Sequence, residues 1–344
     1  MQDGPKATLR DVARAAGVSA ATASRALNGS ARNVRQENIA RVLEAAAALN
    51  YEPHLSAQAI ARGSTSTVAL VVSGVDDPYF SSIAAGVAAG AEAADLTVTM
   101  AVSDRSPERE LQIVRTLRGH RPRAIILTGS RIEGADTRDA LIEELTAYRT
   151  AGGSVVMISQ PDLPFPTVAI DNAGGARRLA QALVGRGYRR FAVICAADRI
   201  RTSRDRCQAF VTGVREAGLR EPLVAEAEFT RAGGYAAARV LIARGALAGE
   251  DPIEVVFAVN DVMAIGAMTA FRDAGLAPGG GVAVAGFDDI AAALDVVPAL
   301  TSVSVPLRAV GEYAIELALS EADPTRVVPV ATTIALREST PPLR

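Results

Sequence analysis

Apolar residues change their spacing near residue 67 of this chain. Before that point they recur every three or four positions; beyond it, short unbroken apolar runs alternate with helical stripes. Leu9, Val12, Ala13 and Ala16 form the first stripe, and Gly17 interrupts it. Ser19 stands where an N-cap belongs, and Ala23, Ala26 and Leu27 make the second stripe. A third helix is predicted over 36–49, with Ile39, Val42, Leu43, Ala46 and Leu49 on one face, ended by Asn50-Tyr51-Glu52-Pro53. Two helices hinged this closely at a glycine must cross steeply. That is the geometry of a helix-turn-helix, whose second helix can enter the DNA major groove. An ordinary helical hairpin has the same spacing, so the pattern alone leaves both open.

From Thr67 onward the pattern predicts β-α alternation. Strands are expected at 68–72, 97–102, 124–127 and 155–158, with helices over 81–94, 108–118 and 141–151 between them. The order then restarts. Strands are expected at 191–194, 223–227, 255–259 and 282–285, and helices over 206–217, 234–244 and 262–274. The first helix of each series carries a Gly-Val step, Gly86-Val87 and Gly213-Val214. Alternation of this kind implies parallel sheets covered on both faces, and two copies imply two lobes. Ligands of open parallel sheets bind beyond the carboxyl ends of the strands, so the natural site is the cleft between the lobes.

The strand ends carry polar side chains suited to a polyhydroxylated ligand. They include Asp76-Asp77-Pro78-Tyr79-Phe80, Ser130-Arg131, Asp171-Asn172, Arg206, Phe229, Asn260-Asp261 and Gly286-Phe287-Asp288-Asp289. Carboxylates accept from vicinal hydroxyls, arginine donates in a fork, and an aromatic face packs on a ring. Asp76, Asp171 and Asp261 are equally placed to cap the following helices, and Arg206 could sit on an exposed helix.

Composition narrows the classes. The 344 residues suit two or three domains, and 49% are hydrophobic, yet no run approaches a membrane span. The N-terminus lacks the basic-then-apolar pattern of a secretory signal, so a cytoplasmic location is expected and no membrane partner. Cys195 and Cys207 have no metal-ligand spacing around them and are expected to be reduced and structural. Neither a metal nor a cofactor is expected. Residues 1–66 hold eight Lys/Arg against five Asp/Glu, while the remainder holds 28 against 33. A basic head on an acidic body suits contact with DNA phosphates. His54 and His120 are the only histidines, too few to build a nucleophilic triad readily. No nucleotide-binding glycine motif is present, and Gly279-Gly280-Gly281 reads as a turn. The pair Asp288-Asp289 leaves a sugar-processing enzyme as a remote alternative.

The string Val18-Ser19, Thr22, Ser24-Arg25, Leu27-Asn28, with the later Asn50-Tyr51 and Pro53, closely resembles the headpiece of the lac repressor/gal repressor family of bacterial transcription regulators. The resemblance extends over nearly the whole chain. It implies an all-α helix-turn-helix head plus an α/β, two-lobed effector domain like the type I periplasmic binding proteins. The implied domains are a head over 1–53, a hinge helix and linker over 54–67, and a body over 68–344. By the same resemblance the chain crosses between lobes near Val168, Thr301 and Val327, giving lobes of roughly 68–167 with 301–326, and 168–300 with 327–344.

The resemblance also implies roles. Thr8, Ser19, Ala20, Ala21, Thr22, Ser24, Arg25 and Asn28 would contact DNA, and Ile60 would wedge into the minor groove from the hinge helix. Gln58 stands where the family often has arginine. Arg206 and Asp288 match the effector-grasping pair, and Phe229 matches an aromatic position of the pocket. Asp77, Tyr79, Phe80, Arg131, Asn260 and Asp261 are further effector candidates. Ser159-Gln160 departs from an acidic residue common in sugar-binding members. The expected function is a sequence-specific, DNA-binding transcriptional repressor under allosteric control by a small effector. The effector is a sugar or sugar derivative, with a purine as the alternative. A homodimer would read a pseudo-palindromic operator in double-stranded DNA, with the small-residue helix over 81–94 as a packing surface. The tail RESTPPLR cannot form a coiled coil.

Overall fold

The computed structural model describes residues 7–27, 34–51, 65–196, 199–321, 323 and 325–343. Asn28, the expected hinge helix and its Ile60 lie outside the described residues. Contacts divide the chain into two compact units, Met1–Ser66 and Thr67–Arg344.

The head has helices Leu9–Ala15, Ala20–Leu27 and Gln36–Ala48. The first begins with a reciprocal cap. The Thr8 amide donates to Asp11 Oδ2 at 3.0 Å, and Thr8 Oγ1 accepts from the Asp11 amide at 3.4 Å. Gly17 turns the chain at φ +63°, a conformation that favours glycine, and its carbonyl accepts from Arg41 Nη2 at 3.3 Å. Ser19 then caps the second helix, its Oγ accepting from the Thr22 amide at 3.1 Å. Val12, Ala13, Ala16, Ala23, Ala26, Val42 and Ala46 form the core. Five of these seven are alanines, so the helices pack closely and the core is narrow. The predicted stripe on the third helix was too wide for it. Leu43 is 52% exposed and Leu49 38%, because Val42 and Ala46 already fill the space against the other two helices.

The body holds two six-stranded sheets. The first contains β1 (Thr67–Val72), β2 (Thr97–Val102), β3 (Ala124–Thr128), β4 (Ser154–Ser159), β5 (Thr167–Ile170) and β11 (Val327–Val330), in the order β11-β5-β4-β3-β1-β2. The second contains β6 (Phe191–Ala196), β7 (Leu223–Ala227), β8 (Val255–Ala258), β9 (Ala283–Asp288), β10 (Thr301–Ser304) and β12 (Thr333–Ala335), in the order β12-β10-β9-β8-β6-β7. The two orders are the same pattern repeated. Leu70 pairs in parallel with Met100 on one side and Ile126 on the other; Ile194 pairs likewise with Ala225 and Ala258. Among the described strands only β12 runs antiparallel to its neighbour, Val303 opposing Ile334. The central strands are apolar on both faces and fully buried, as sheets covered by helices on each side require.

The crossings between sheets fall a few residues later than expected. Segments 167–170, 301–304 and 327–330 each complete a strand in the sheet they come from before the chain crosses. Ladder hydrogen bonds hold each strand to its carboxyl end, so the crossing follows the strand instead of preceding it. The apolar segment 327–336 forms two strands in different sheets, with Thr332 buried between them. Arg178 Nη2 clamps this crossing, donating to Thr332 Oγ1 at 2.7 Å and to Asp171 Oδ2 at 3.0 Å.

Two helices absent from the predicted series, Asn172–Gly185 and Leu307–Leu319, accompany the crossings. The second lies against Pro78–Glu92 at glycine contacts. A Cβ on Gly86 would stand 2.0 Å from the Arg308 carbonyl oxygen, and one on Gly311 would stand 2.1 Å from that of Ile83. The small-residue helix thus buries one stripe within its own lobe and leaves Ser81, Ala85 and Ala88 exposed on the other. Cys195 and Cys207 are free thiols. Among the described residues no helix is long and apolar enough to cross a membrane, and no group of three His, Cys, Asp or Glu side chains is placed to hold a metal.

Candidate functional site

In the head, the helix Ala20–Leu27 presents Ala20, Ala21 and Arg25 to solvent, with Thr22 and Ser24 half-buried beside them. Ala21 and Arg25 are one turn apart and share a face. This face offers a small apolar surface next to one long forked donor. Alanine can meet only an apolar feature of a base pair, such as a thymine methyl, while arginine can bond guanine or phosphate. Thr8 and Ser19 are both occupied as helix caps, and Thr8 Oγ1 also lies 2.6 Å from Asp11 Oδ2.

In the body, strand ends from both lobes surround a small cavity. Asp77, Tyr79, Phe80, Gly129, Ser130 and Ser159 line it from the first lobe; Thr202, Arg206, Phe229, Asn260 and Asp288 line it from the second. Arg206 is the fixed centre. The helix Arg201–Glu216 starts five residues earlier than predicted, so Arg206 lies in its second turn, 2% exposed. Its Nε donates to Asn172 Oδ1 at 2.8 Å and its Nη1 to the Val259 carbonyl at 2.9 Å. The guanidinium also lies 3.7 Å from the Phe287 ring centroid. Its Nη2 stands 2.8 Å from Asp288 Oδ1, close enough for an ion pair. The contact is nonetheless poorly aligned, and Asp288 Oδ1 is a buried oxygen without a hydrogen-bond donor. Asp288 sits at φ +109° at the end of β9, a backbone setting unusual for any residue but glycine. Burial drives its carboxyl up to about 7, Arg206 opposes this, and Asp77 adds to it.

Asp77 caps the helix Pro78–Glu92, accepting from the Tyr79 amide at 3.0 Å, and burial raises its pKa. Tyr79 and Phe80 meet edge to face with centroids 5.0 Å apart. Asn260 lines the cavity and caps the next helix through Met263 N at 3.0 Å. Ser159 and Gln160, the departure from an acidic residue, form a neutral bridge between lobes. Ser159 Oγ donates to Gln160 Oε1 at 2.8 Å, and Gln160 Nε2 donates to Thr202 Oγ1 at 2.8 Å. The Thr202 amide donates to Ser130 Oγ at 2.9 Å, and Ile132 and Ile200 make an antiparallel bridge alongside.

Two predicted residues are not brought to this cavity. Asp261 is fully buried; its Oδ1 accepts from Ser302 Oγ at 2.6 Å and its Oδ2 from the Ile290 amide at 2.9 Å. Burial, with Asp288 nearby, raises its pKa well above the usual range. Arg131 lines a neighbouring cavity and is ion-paired with Glu110. Asp289, the second half of the suspected catalytic pair, turns away to Arg337 at 2.6 Å, so the two carboxylates do not face one substrate. Sequence reasoning missed Thr202 and Arg105. Arg105 had one available signal: it occupies the position in its repeat that Phe229 occupies in the other, immediately before the N-cap of the next helix.

Comparison with known proteins agrees with both parts. Residues 8–54 match the family described as bacterial regulatory proteins, lacI family, and residues 180–340 match the periplasmic binding protein-like domain. The chain is 31% identical over 332 residues to the HTH-type transcriptional regulator GalR of Escherichia coli (strain K12), covering 95% of this chain and 92% of GalR. A solved complex of the transcriptional regulator CelR with cellobiose superposes with a TM-score of 0.70 at 28% identity, covering 97% of this chain and 99% of that one. The lac repressor dimer bound to operator and the anti-inducer ONPF superposes at 0.82, covering 98% and 100%; at 22% identity this likeness concerns the fold.

Proposed function

The chain belongs to the lacI family of bacterial regulatory proteins, and from that premise we propose that it is a transcriptional repressor released or engaged by a sugar bound between its lobes. Its relatives are transcriptional regulators and not enzymes. DNA is read by the face of Ala20, Ala21 and Arg25, with Thr22 and Ser24 on phosphate. The repressor works in the cytoplasm, where the operator is.

One observation carries the effector reading: a buried Arg206–Asp288 ion pair, 2.8 Å apart but not aligned as a hydrogen bond, stands at the wall of an inter-lobe cavity. A ligand hydroxyl donates to the Asp288 carboxylate, and Phe229 offers a ring face to the apolar side of a sugar. The complex of CelR with cellobiose supports a carbohydrate in this fold. Ligand contacts from both lobes bias their relative orientation, so effector and DNA affinities are coupled.

A homodimer completes the reading. The exposed edges β2 and β7 carry Met100 (48% exposed) and Leu223 and Val224 (36% and 40%), with Val240 (43%) on the adjacent helix. Each lobe therefore leaves an apolar edge uncovered at the equivalent place, which suits a two-fold contact with a second copy. Calorimetry against mono- and disaccharides and purines tests the effector reading. A sugar that binds the parent but not Arg206→Ala supports it; a purine that binds where no sugar does overturns it.

A further inference from the structure

A second, larger cavity opens beside the effector cavity in the first lobe. Ser130 lines both, and Arg105 of this cavity lies over Phe229 of the other. The walls of the larger cavity include the serines at the ends of β1, β2 and β3, Ser73, Ser103 and Ser130, and the N-cap Ser106. Among the described residues no aromatic side chain lines it, so they offer no stacking platform for a neutral sugar ring. Among the same described residues four arginines line it against three carboxylates. Glu133 is also paired with Arg204 outside the lining, which leaves the walls electropositive.

Three of the four arginines are held. Arg131 is paired with Glu110, Arg201 lies 3.5 Å from Asp162, and Arg138 donates to the Asp162 carbonyl at 2.7 Å. Arg105 has no carboxylate in ion-pair contact among the described residues. It lies instead over Phe229 of the other lobe, 5.4 Å from the ring centroid. Two successive left-handed residues that are not glycine, Asp104 (φ +51°) and Arg105 (φ +58°), set it there. Arg105 and Phe229 hold the same place in the two repeats and meet across the mouth of the cleft. The helix N-terminus behind it is already capped, the Arg109 amide donating to Ser106 Oγ at 3.2 Å and that hydroxyl to Glu108 at 2.8 Å. The charge of Arg105 also acts on the buried Asp77 carboxyl. The open donor is the half-buried guanidinium stacked on a ring, a fork suited to an oxyanion.

We propose that this cavity is an anion subsite of the effector cleft, and that the effector is a sugar bearing a phosphate or carboxylate group held by Arg105 with the hydroxyls of Ser73 and Ser130. The inference rests on the reading of the cleft as a sugar site and specifies the class of sugar.

Calorimetry on the full chain tests it with matched probes. Glucose, galactose and fructose are each compared with their phosphates, and glucose and galactose with their uronates. At least one anionic member should bind ten-fold or more tightly than its neutral parent, and the phosphate and uronate arms show which anion is preferred. In Arg105→Ala, still folded by circular dichroism, that preference should fall by ten-fold or more, and Arg105→Lys should recover part of it. Anionic members that bind no better than their parents, or a preference that survives Arg105→Ala, overturn the anion subsite and leave the sugar reading standing. Failure of every neutral and anionic sugar to bind sinks the sugar reading itself, and the subsite with it.

Discussion

Arg206 faces Asp288 with one guanidinium nitrogen at 2.8 Å, while two others are held by Asn172 and the carbonyl of Val259. The arginine is thus fixed by its own lobe before any ligand arrives, and the Asp288 carboxylate it pairs with keeps lone pairs that can accept from a ligand hydroxyl. Hydrogen bonds to charged groups contribute about 1.5–3 kcal/mol. Arg206→Ala or Asp288→Asn should therefore weaken effector binding about ten- to hundred-fold while operator affinity is kept. Normal effector affinity in both variants, by calorimetry, would remove the pair from the site.

The same pair makes the body sensitive to pH. Asp288 releases its proton near 3.8 when unfolded and only near 7 when folded. Between those values the native state binds more protons, so stability is fully present below the unfolded pKa and falls as pH rises through the folded one. Asp77 and Asp261, also raised, act in the same direction. The body's melting temperature should drop between about pH 5 and pH 8, and Asp288→Asn should flatten that slope. A melting temperature that rises across the interval contradicts the burial argument.

Recognition of DNA should depend on few polar contacts. With alanines at 20 and 21, Arg25 is the one long donor on the exposed face of its helix. Arg25→Ala should cost about 1–3 kcal/mol of specific binding. A gel-shift titration that finds operator affinity unchanged places Arg25 outside the interface.

The apolar edges β2 and β7 should hold a dimer and no more. Light scattering should give about twice the chain mass of 35.6 kDa. Val224→Asp, which puts a charge on one edge, should shift the mass toward a monomer. A stable tetramer, or a monomer in the parent, contradicts the assignment of these edges.

The strand–helix order was readable because parallel strands buried on both faces must be unbroken apolar runs, as in 68–72 and 255–259. The helices Asn172–Gly185 and Leu307–Leu319 escaped because Gly174, Gly175 and Gly311 look like turn signals. Gly175 and Gly311 are there for close contact: a Cβ on Gly175 would meet Thr332, Val303 and Phe287. Arg206 and Asp288 came from family resemblance, and the structure brings them together. Asp261 was misread because a strand-end aspartate can serve a ligand or the fold, and only packing reveals that Ser302 and Ile290 claim it. Arg105 had only its place in the repeat as a signal, for a similar reason. Its partner, Phe229, belongs to the other repeat, and the two meet only when the lobes face each other.

The central claim is that a ligand between the lobes and DNA at the head influence each other. The direct measurement is anisotropy of a labelled, two-fold symmetric duplex selected by the full chain from a random library, titrated with and without a saturating sugar. The account predicts that the sugar changes duplex affinity by ten-fold or more, and that the duplex changes sugar affinity by the same factor. Identical duplex affinity with and without a sugar that demonstrably fills the cleft would contradict it.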